Sequence, residues 1–350
     1  ADGTVVSFAI PAGNIDGAFA IDSAGTLTVA NSAAINPAVN PSFALTVVVT
    51  DNDGYTASAT MTVTVTESPF IVRNTNDAGT GSLRAAILAA NAAIGIETIT
   101  FAIDGAGPHV ITPTTPLPAV LYPANIDGST QPAGAVVLDG SLAGSAADGI
   151  DLWTYNSTIN GLTIRNFSGN GIFVQTPARA PAGGTLLNVI ENNTITGNQG
   201  DGVLVATGSY ASILNNSIYD NGQLGIDLGG DGVTPNDVGD PDVGASLLQN
   251  YPVLLRAEPG KGFWVEGRLN SLANLDFTLD FFASAECDPT GFGEGQHYLG
   301  TRSTATDADG NARFGFGLPY PPEGSPFITA TATDENGNTS MWGHCQMLRP

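Results

Sequence analysis

The densest set of residues able to do chemistry is a run of five aspartates, Asp227, Asp231, Asp237, Asp240 and Asp242, interleaved with Gly229, Gly230, Gly232, Gly239 and Gly244. Calcium takes roughly six to eight oxygens from carboxylates, carbonyls and water, and a glycine-rich loop can wrap around it. The spacing matches neither the EF-hand loop nor the nonapeptide repeat of calcium-binding β-rolls. A bound calcium and a solvated acidic loop both fit the pattern.

A catalytic constellation is harder to assemble. Hydrolysis of a glycosidic bond needs two carboxyl groups facing one cleft, about 5 to 9.5 Å apart. The candidate positions lie in three stretches that superimpose on one another, Ile159 to Val174, Ile190 to Val205 and Ile213 to Leu228. Outward positions are expected at Arg165, Thr196 and Tyr219, at Phe167, Asn198 and Asn221, and at Asn170, Asp201 and Leu224. Only Asp201 among these is an acid, and the histidines His109, His297 and His344 fall outside the repeats. No catalytic residue is therefore assigned.

The elements that position these residues follow from the repeats themselves. Each carries two isoleucines five apart (Ile159 and Ile164, Ile190 and Ile195, Ile213 and Ile218), then a glycine (Gly171, Gly202, Gly225) and two aliphatics. The second and third copies are 23 residues apart; the first and second are 31 apart, with the surplus in the Pro- and Ala-rich segment Thr176 to Gly183. A fixed period with its surplus in a loop describes a solenoid, whose units bury their apolar faces only against neighbours. Asn192, Asn193, Asn215 and Asn216 recur at equal register, where stacked amides can hydrogen-bond along the axis.

The 33 acidic and 10 basic residues give a net charge of −23, which repels phosphate backbones and anionic membranes and argues against nucleic-acid binding. Cations and neutral glycans are the better partners. No stretch reaches the roughly 20 apolar residues of a membrane span, so membrane insertion is not expected. A basic signal-peptide region is also missing, so the export signal of a secreted form is expected upstream. Cys287 and Cys345 read as a disulfide in an extracellular chain, or as two buried thiols.

On either side of the solenoid the hydrophobic period is two. Residues 1–68 contain about five alternating runs, separated by turns such as Asp22 to Gly25 and Asp51 to Gly54. From about Pro252 alternation resumes at Phe263 to Arg268, Phe277 to Ala283, Tyr298 to Thr304, Ala312 to Leu318 and Phe327 to Thr333. Between them, Ser82 can cap a helix over 82–91 whose apolar face, Leu83, Ala86, Ile87 and Ala90, suits covering the first rung. Phe263 and Trp264 are expected at the junction between solenoid and C-terminal sandwich. Trp153, Tyr155 and Phe173 are either rung packing or sugar-stacking platforms.

Several of these segments resemble known families. Phe19 to Asp22, Gly25 to Val29, Leu45 to Asp51 and Thr60 to Val65 resemble a bacterial cadherin-like repeat lacking its leading strands. That resemblance implies calcium ligands at Asp51 and Asp53, although Ala34 to Pro37 replaces the family's usual acidic pair. Asn74 to Asp77 with Gly81 to Ile87, Asn125 to Gln131 and Leu224 to Gly229 resemble CSLREA-type right-handed parallel β-helix modules of large bacterial surface proteins.

The expected fold is therefore all-β, a right-handed parallel β-helix over 69–252 flanked by two β-sandwich domains, cadherin-like at 1–68 and Ig-like at 253–350. The expected role is a non-catalytic, extracellular rod module of a bacterial fibre, filament or adhesin. An N-terminal sandwich short of strands would favour head-to-tail self-association by strand donation. A polysaccharide-binding or polysaccharide-degrading β-helix is the alternative. If Cys287 and Cys345 are bridged, reduction or a double Cys→Ser exchange is expected to lower stability by about 2 to 5 kcal/mol in denaturant unfolding.

Overall fold

The computed structural model describes residues 3–37, 39–176, 186–260 and 262–349, so positions 177–183 of the surplus segment lie outside the described residues. Residues Ala1–Ser68 form one compact unit and Pro69–Pro350 a second.

The second unit is built on a right-handed coil of parallel strands arranged in three sheets. The first face stacks Ile71–Val72, Glu97–Phe101, Ala124–Asp127, Thr158–Asn160, Leu187–Glu191 and Tyr210–Leu214. His109–Ile111, Val136–Asp139, Leu162–Arg165, Thr194–Thr196 and Ser217–Tyr219 form the second, and Ile150–Leu152, Ile172–Val174, Val203–Val205 and Ile226–Leu228 the third. Strand pairing brings the repeated aliphatics into columns: Ile126, Ile159, Ile190 and Ile213 on the first face; Leu138, Ile164, Ile195 and Ile218 on the second. The third face carries Ile150, Ile172, Val203 and Ile226. None of these twelve side chains is more than 3% exposed. Branched residues fit such a column because each packs on its counterpart above and below.

Two tight corners join the first face to the second and the second to the third. At the first corner Gly161, Asn192 and Asn215 have φ of 71°, 56° and 55°; at the second Asn166, Gly197 and Asp220 have 59°, 67° and 55°. This left-handed region admits Gly and, at modest cost, Asn and Asp, and no other residue type stands at these six places. The residue after each corner turns inward. Phe167, Asn198 and Asn221, expected on the outside, are 0%, 1% and 8% exposed. Asn193 and Asn216 occupy the equivalent place after the first corner and are also buried.

These four buried asparagines act as side-chain peptide groups. Asn193 Oδ1 accepts from the Leu162 N–H of the preceding rung at 2.9 Å, while its Nδ2 donates to the Ile159 carbonyl at 2.9 Å. Asn216 does the same toward the Asn193 N–H and the Ile190 carbonyl, at 2.9 and 2.7 Å. Asn198 accepts from Phe167 N–H and donates to the Ile164 carbonyl, and Asn221 repeats the pattern with Asn198 N–H and the Ile195 carbonyl. The amides also bond to one another, Asn193 to Asn216 at 3.1 Å and Asn198 to Asn221 at 2.9 Å.

The repeated glycines have a different cause. A Cβ on Gly171 would lie 2.2 Å from the Cγ2 of Ile195 in the next rung, and one on Gly202 would lie 2.3 Å from the Cγ2 of Ile218. Each rung thus leaves a socket for the next rung's isoleucine. At Gly225 no further rung follows, and the nearest atom is Cζ3 of Trp342, at 2.5 Å from the hypothetical Cβ. The Trp342 indole therefore sits where an isoleucine of another rung would sit.

Both ends of the coil are covered. Helix Leu83–Ala92, with Ser82 Oγ accepting from the Ala85 N–H, buries Leu83, Ala86, Ile87 and Ala90 against the first rung. Arg84 fixes it through Asp77 at 2.6 Å and the carbonyls of Thr115 and Pro116. At the other end Gly295 and Ile218 exchange backbone hydrogen bonds, both 2.9 Å, and Thr339 serves the first face through Ala211 and Ile213.

The C-terminal residues that supply these contacts belong to a sandwich. One sheet holds Val253–Gly260, Gly262–Asn270 and Asn311–Leu318; the other holds Asp276–Ser284, His297–Ala305, Phe327–Asp334 and Gln346–Met347. Phe263 lies in this sandwich's own core and Trp264 is 45% exposed, so neither occupies the junction expected for them. The junction is filled by Trp342, Met341, Phe282 and Tyr251, which join the solenoid core. A disulfide links Cys287 to Cys345 across 58 residues, with Cα atoms 6.1 Å apart.

In the first unit Val5–Ala12, Ser42–Asp51 and Thr56–Thr64 form an antiparallel sheet with Ser42–Asp51 in the middle. A ribbon of Phe19–Ile21 and Leu27–Val29 accompanies it. Its core is small: Ala18, Phe19, Ala34, Phe43 and Leu45, with the Phe19 and Phe43 rings edge to face at 5.1 Å.

Trp342→Ala removes the indole from the last socket. The expected loss is about 3 to 5 kcal/mol in urea unfolding, whereas truncating the half-exposed Trp264 is expected to change stability far less.

Candidate functional site

The structure divides the five-aspartate run between two acidic places. The first lies along the edge of the third face. Asp148, Asn170, Asp201 and Leu224 occupy one register, just before the glycine column. Here each side chain accepts from the backbone of the following rung: Asn170 N–H to Asp148, Asp201 N–H to Asn170 at 2.8 Å, and Leu224 N–H to Asp201 at 2.9 Å. Asp201, expected outside, is 3% exposed. It is a ladder member, in the same relation as the neutral Asn170 one rung earlier.

The outward register of the third face holds Asp151, Phe173, Leu204 and Asp227. Asp227 is covered by the glycine-rich loop after it, its two oxygens accepting from the Gly230 and Gly232 N–H groups at 2.9 and 3.0 Å. Together with Asp231 and Asp288 from the C-terminal part, Asp201 and Asp227 line a groove of about 550 Å³. Burial, and then the nearby charge of Asp227, push the Asp201 carboxyl up to about 7. Burial and the neighbouring Asp148 push Asp151 to about 7 as well. Asp227 is also raised by burial, against the two loop N–H groups that favour its charge.

The second place is the loop between solenoid and sandwich. Asp237, Asp240 and Asp242 bring one carboxylate oxygen each to within 4.8 Å of one another, the one such group of three among the described residues. Three charges at that spacing repel by roughly 3 kcal/mol per pair at an effective dielectric near 20. Asp240 is 7% exposed, and its Oδ2 accepts from Gln249 Nε2, Ser271 Oγ and the Asn250 N–H. Burial pushes it to about 6 despite those donors. This cluster can hold a metal ion; Asp227 and Asp231 are not part of it.

Asp51 and Asp53 stand in a hairpin turn of the first unit. Asp51 Oδ1 accepts from the Asp53 and Tyr55 N–H groups at 3.0 and 2.8 Å, which is a turn-forming role. Of the aromatic residues, Trp153 is 47% exposed, and Tyr155 and Phe173 are half-buried.

A family model described as a right handed beta helix region matches residues 148–234. That span contains the three superimposable repeats and the acidic edge of the third face. No curated protein matches the chain. No helix among the described residues is long and apolar enough to cross a membrane.

The raised carboxyls set a pH dependence. Asp151, Asp201 and Glu294 (held near 7, chiefly by burial) keep protons in the folded state that the unfolded chain releases near 4. Their stabilising effect is complete below about pH 4 and is lost as pH rises to about 7. Asp201→Asn keeps the ladder acceptor and removes the titration. It is expected to raise stability by about 1 to 3 kcal/mol at pH 8 and to leave it nearly unchanged at pH 4, in paired thermal melts.

Proposed function

We propose that this chain is a non-catalytic, extracellular structural module of a bacterial surface fibre or adhesin, with a CSLREA-type β-helix, a cadherin-like N-terminal unit and an Ig-like C-terminal sandwich. The observation that carries this reading is the use to which the solenoid's acids are put. Asp148 and Asp201 serve as rung-to-rung acceptors, Asp227 holds its own loop, and Asp139 caps Ser141 while pairing with Arg165 at 3.0 Å. A carboxyl so bonded is a poor candidate for moving protons on a substrate, because its geometry is committed to backbone N–H groups. The Cys287–Cys345 disulfide supports an oxidising compartment. The outer strands Val5–Ala12 and Thr56–Thr64 support self-association, since their outward backbone edges suit strand addition.

One observation favours the second reading, a polysaccharide-binding or polysaccharide-degrading protein. The groove at Asp201 and Asp227 is acidic, and Asp201 is held near the pKa a general acid needs. Incubation with neutral and acidic polysaccharides, with and without calcium, separates the two. The structural reading expects no new reducing ends or unsaturated products, and fibres or head-to-tail oligomers by electron microscopy of native material. Turnover that disappears in Asp201→Asn and Asp227→Asn would replace it with the enzymatic one.

A further inference from the structure

We infer that Asp237, Asp240 and Asp242 form a divalent-cation site, suited to calcium, that clamps the loop leaving the solenoid onto the C-terminal sandwich. The inference rests on the hydrogen-bond inventory of this loop and is independent of the proposed function.

Six buried side-chain polar atoms lack a hydrogen-bond partner among the described residues, and three of them are the Oδ1 atoms of Asp237, Asp240 and Asp242. Buried carboxylate oxygens are ordinarily satisfied, so three orphans within one loop call for a missing partner. The oxygens these residues offer lie within 4.8 Å of one another. Two oxygens on opposite sides of a calcium ion at about 2.4 Å are about 4.8 Å apart, so the separations are within the range of oxygens that share one ion. The chemistry of the donors selects the ion: three hard carboxylate oxygens, with no His or Cys in the group, suit calcium rather than zinc. None of the three aspartates is paired with an arginine in the ion pairs of the described residues.

Asp240 gives the site its direction. It is 7% exposed, and its Oδ2 is held by Gln249, Asn250 and Ser271, leaving the orphan Oδ1 fixed in space. Those same contacts explain the clamp. Ser271 belongs to the sandwich, Gln249 and Asn250 to the connecting segment. Gly239 N–H donates to Asn270 Oδ1 at 2.8 Å, and Asn250 Nδ2 donates to both the Asp237 and the Asn270 carbonyls, at 2.8 and 2.9 Å. A cation neutralising the carboxylates holds this web closed, and its removal leaves three like charges to push the loop apart.

The test uses the whole chain after exhaustive chelation, titrated with calcium by calorimetry and melted with calcium or EDTA. Saturable binding at one site and a higher melting temperature in calcium are expected, with slower hydrogen exchange at the Gly239 and Asn250 amides. Asp240→Asn and Asp242→Asn should each weaken this binding at least tenfold and abolish the calcium-dependent shift. In EDTA both should melt at or above the parent, because each removes a repelling charge, a sign that merely structural damage does not produce. Asp227→Asn should keep the full calcium response. Absence of binding at millimolar calcium, or a response that survives Asp240→Asn and Asp242→Asn, would overturn the site. Unchanged exchange at Gly239 and Asn250 despite binding would overturn the clamp.

Discussion

A chain that coils around a dry core must turn corners without stranding its own peptide groups. Along the flat faces the parallel ladders pair the N–H and C=O groups of neighbouring rungs, but at a corner the ladder stops and the backbone is still buried. Asn193, Asn216, Asn198 and Asn221 supply the missing partners, each amide accepting from one rung and donating to the same rung, as a strand would. The left-handed residue just before each of them makes the turn tight enough for the amide to reach. Aliphatic columns, glycine sockets and the edge ladder through Asp201 all presuppose that the corners hold register. A single amide is a modest contributor, about 1 kcal/mol, but an unsatisfied buried N–H is a larger penalty, and the stack repeats both at two corners of two successive rungs.

The ends of the coil pose the opposite problem, because a terminal rung presents unpaired strand edges and an open core. The N-terminal answer is local, a ten-residue helix that shares chain neighbourhood with the rung it covers. The C-terminal answer comes from far downstream in the chain, where Gly295, Thr339 and Trp342 meet Ile218, Ile213 and Gly225. Phe282, Met341 and Trp342 of the sandwich consequently enter the solenoid's apolar core, while the sandwich keeps a core of its own.

The contrast between those two ends also describes what could be read from the sequence. Periodic isoleucines and glycines announce the solenoid, and Ser82 with the Leu83 to Ala90 stripe announces the cap, because in each case the pattern and its cause lie within a few residues. The inward turn of Asn198 and Asn221 is hidden by their polarity, because an amide that faces a buried backbone is satisfied and therefore buried, and Phe167 shares their register. The same holds for Asp201, whose carboxyl accepts from the Leu224 N–H. Trp342 left no periodic signal, since its role depends on a contact with Gly225 far away in the chain. The strand Val253–Gly260 has no alternating signature in the sequence because Arg256, Glu258 and Pro259 interrupt it. In the acidic loop composition marks the segment but not which carboxylates converge; that depends on Ser271 and Asn270, which arrive from the C-terminal sheets.

The Trp342 indole has a bearing on how such a protein can change length. It fills a glycine socket of the kind that Gly171 and Gly202 offer to Ile195 and Ile218. Gly225 is the last of that series, and the indole takes the place of the isoleucine that a further coil would bring. A whole coil inserted or removed upstream, with the last coil kept, leaves this contact and those of Gly295 and Thr339 unchanged. Span can then change in increments of one turn at a constant terminus.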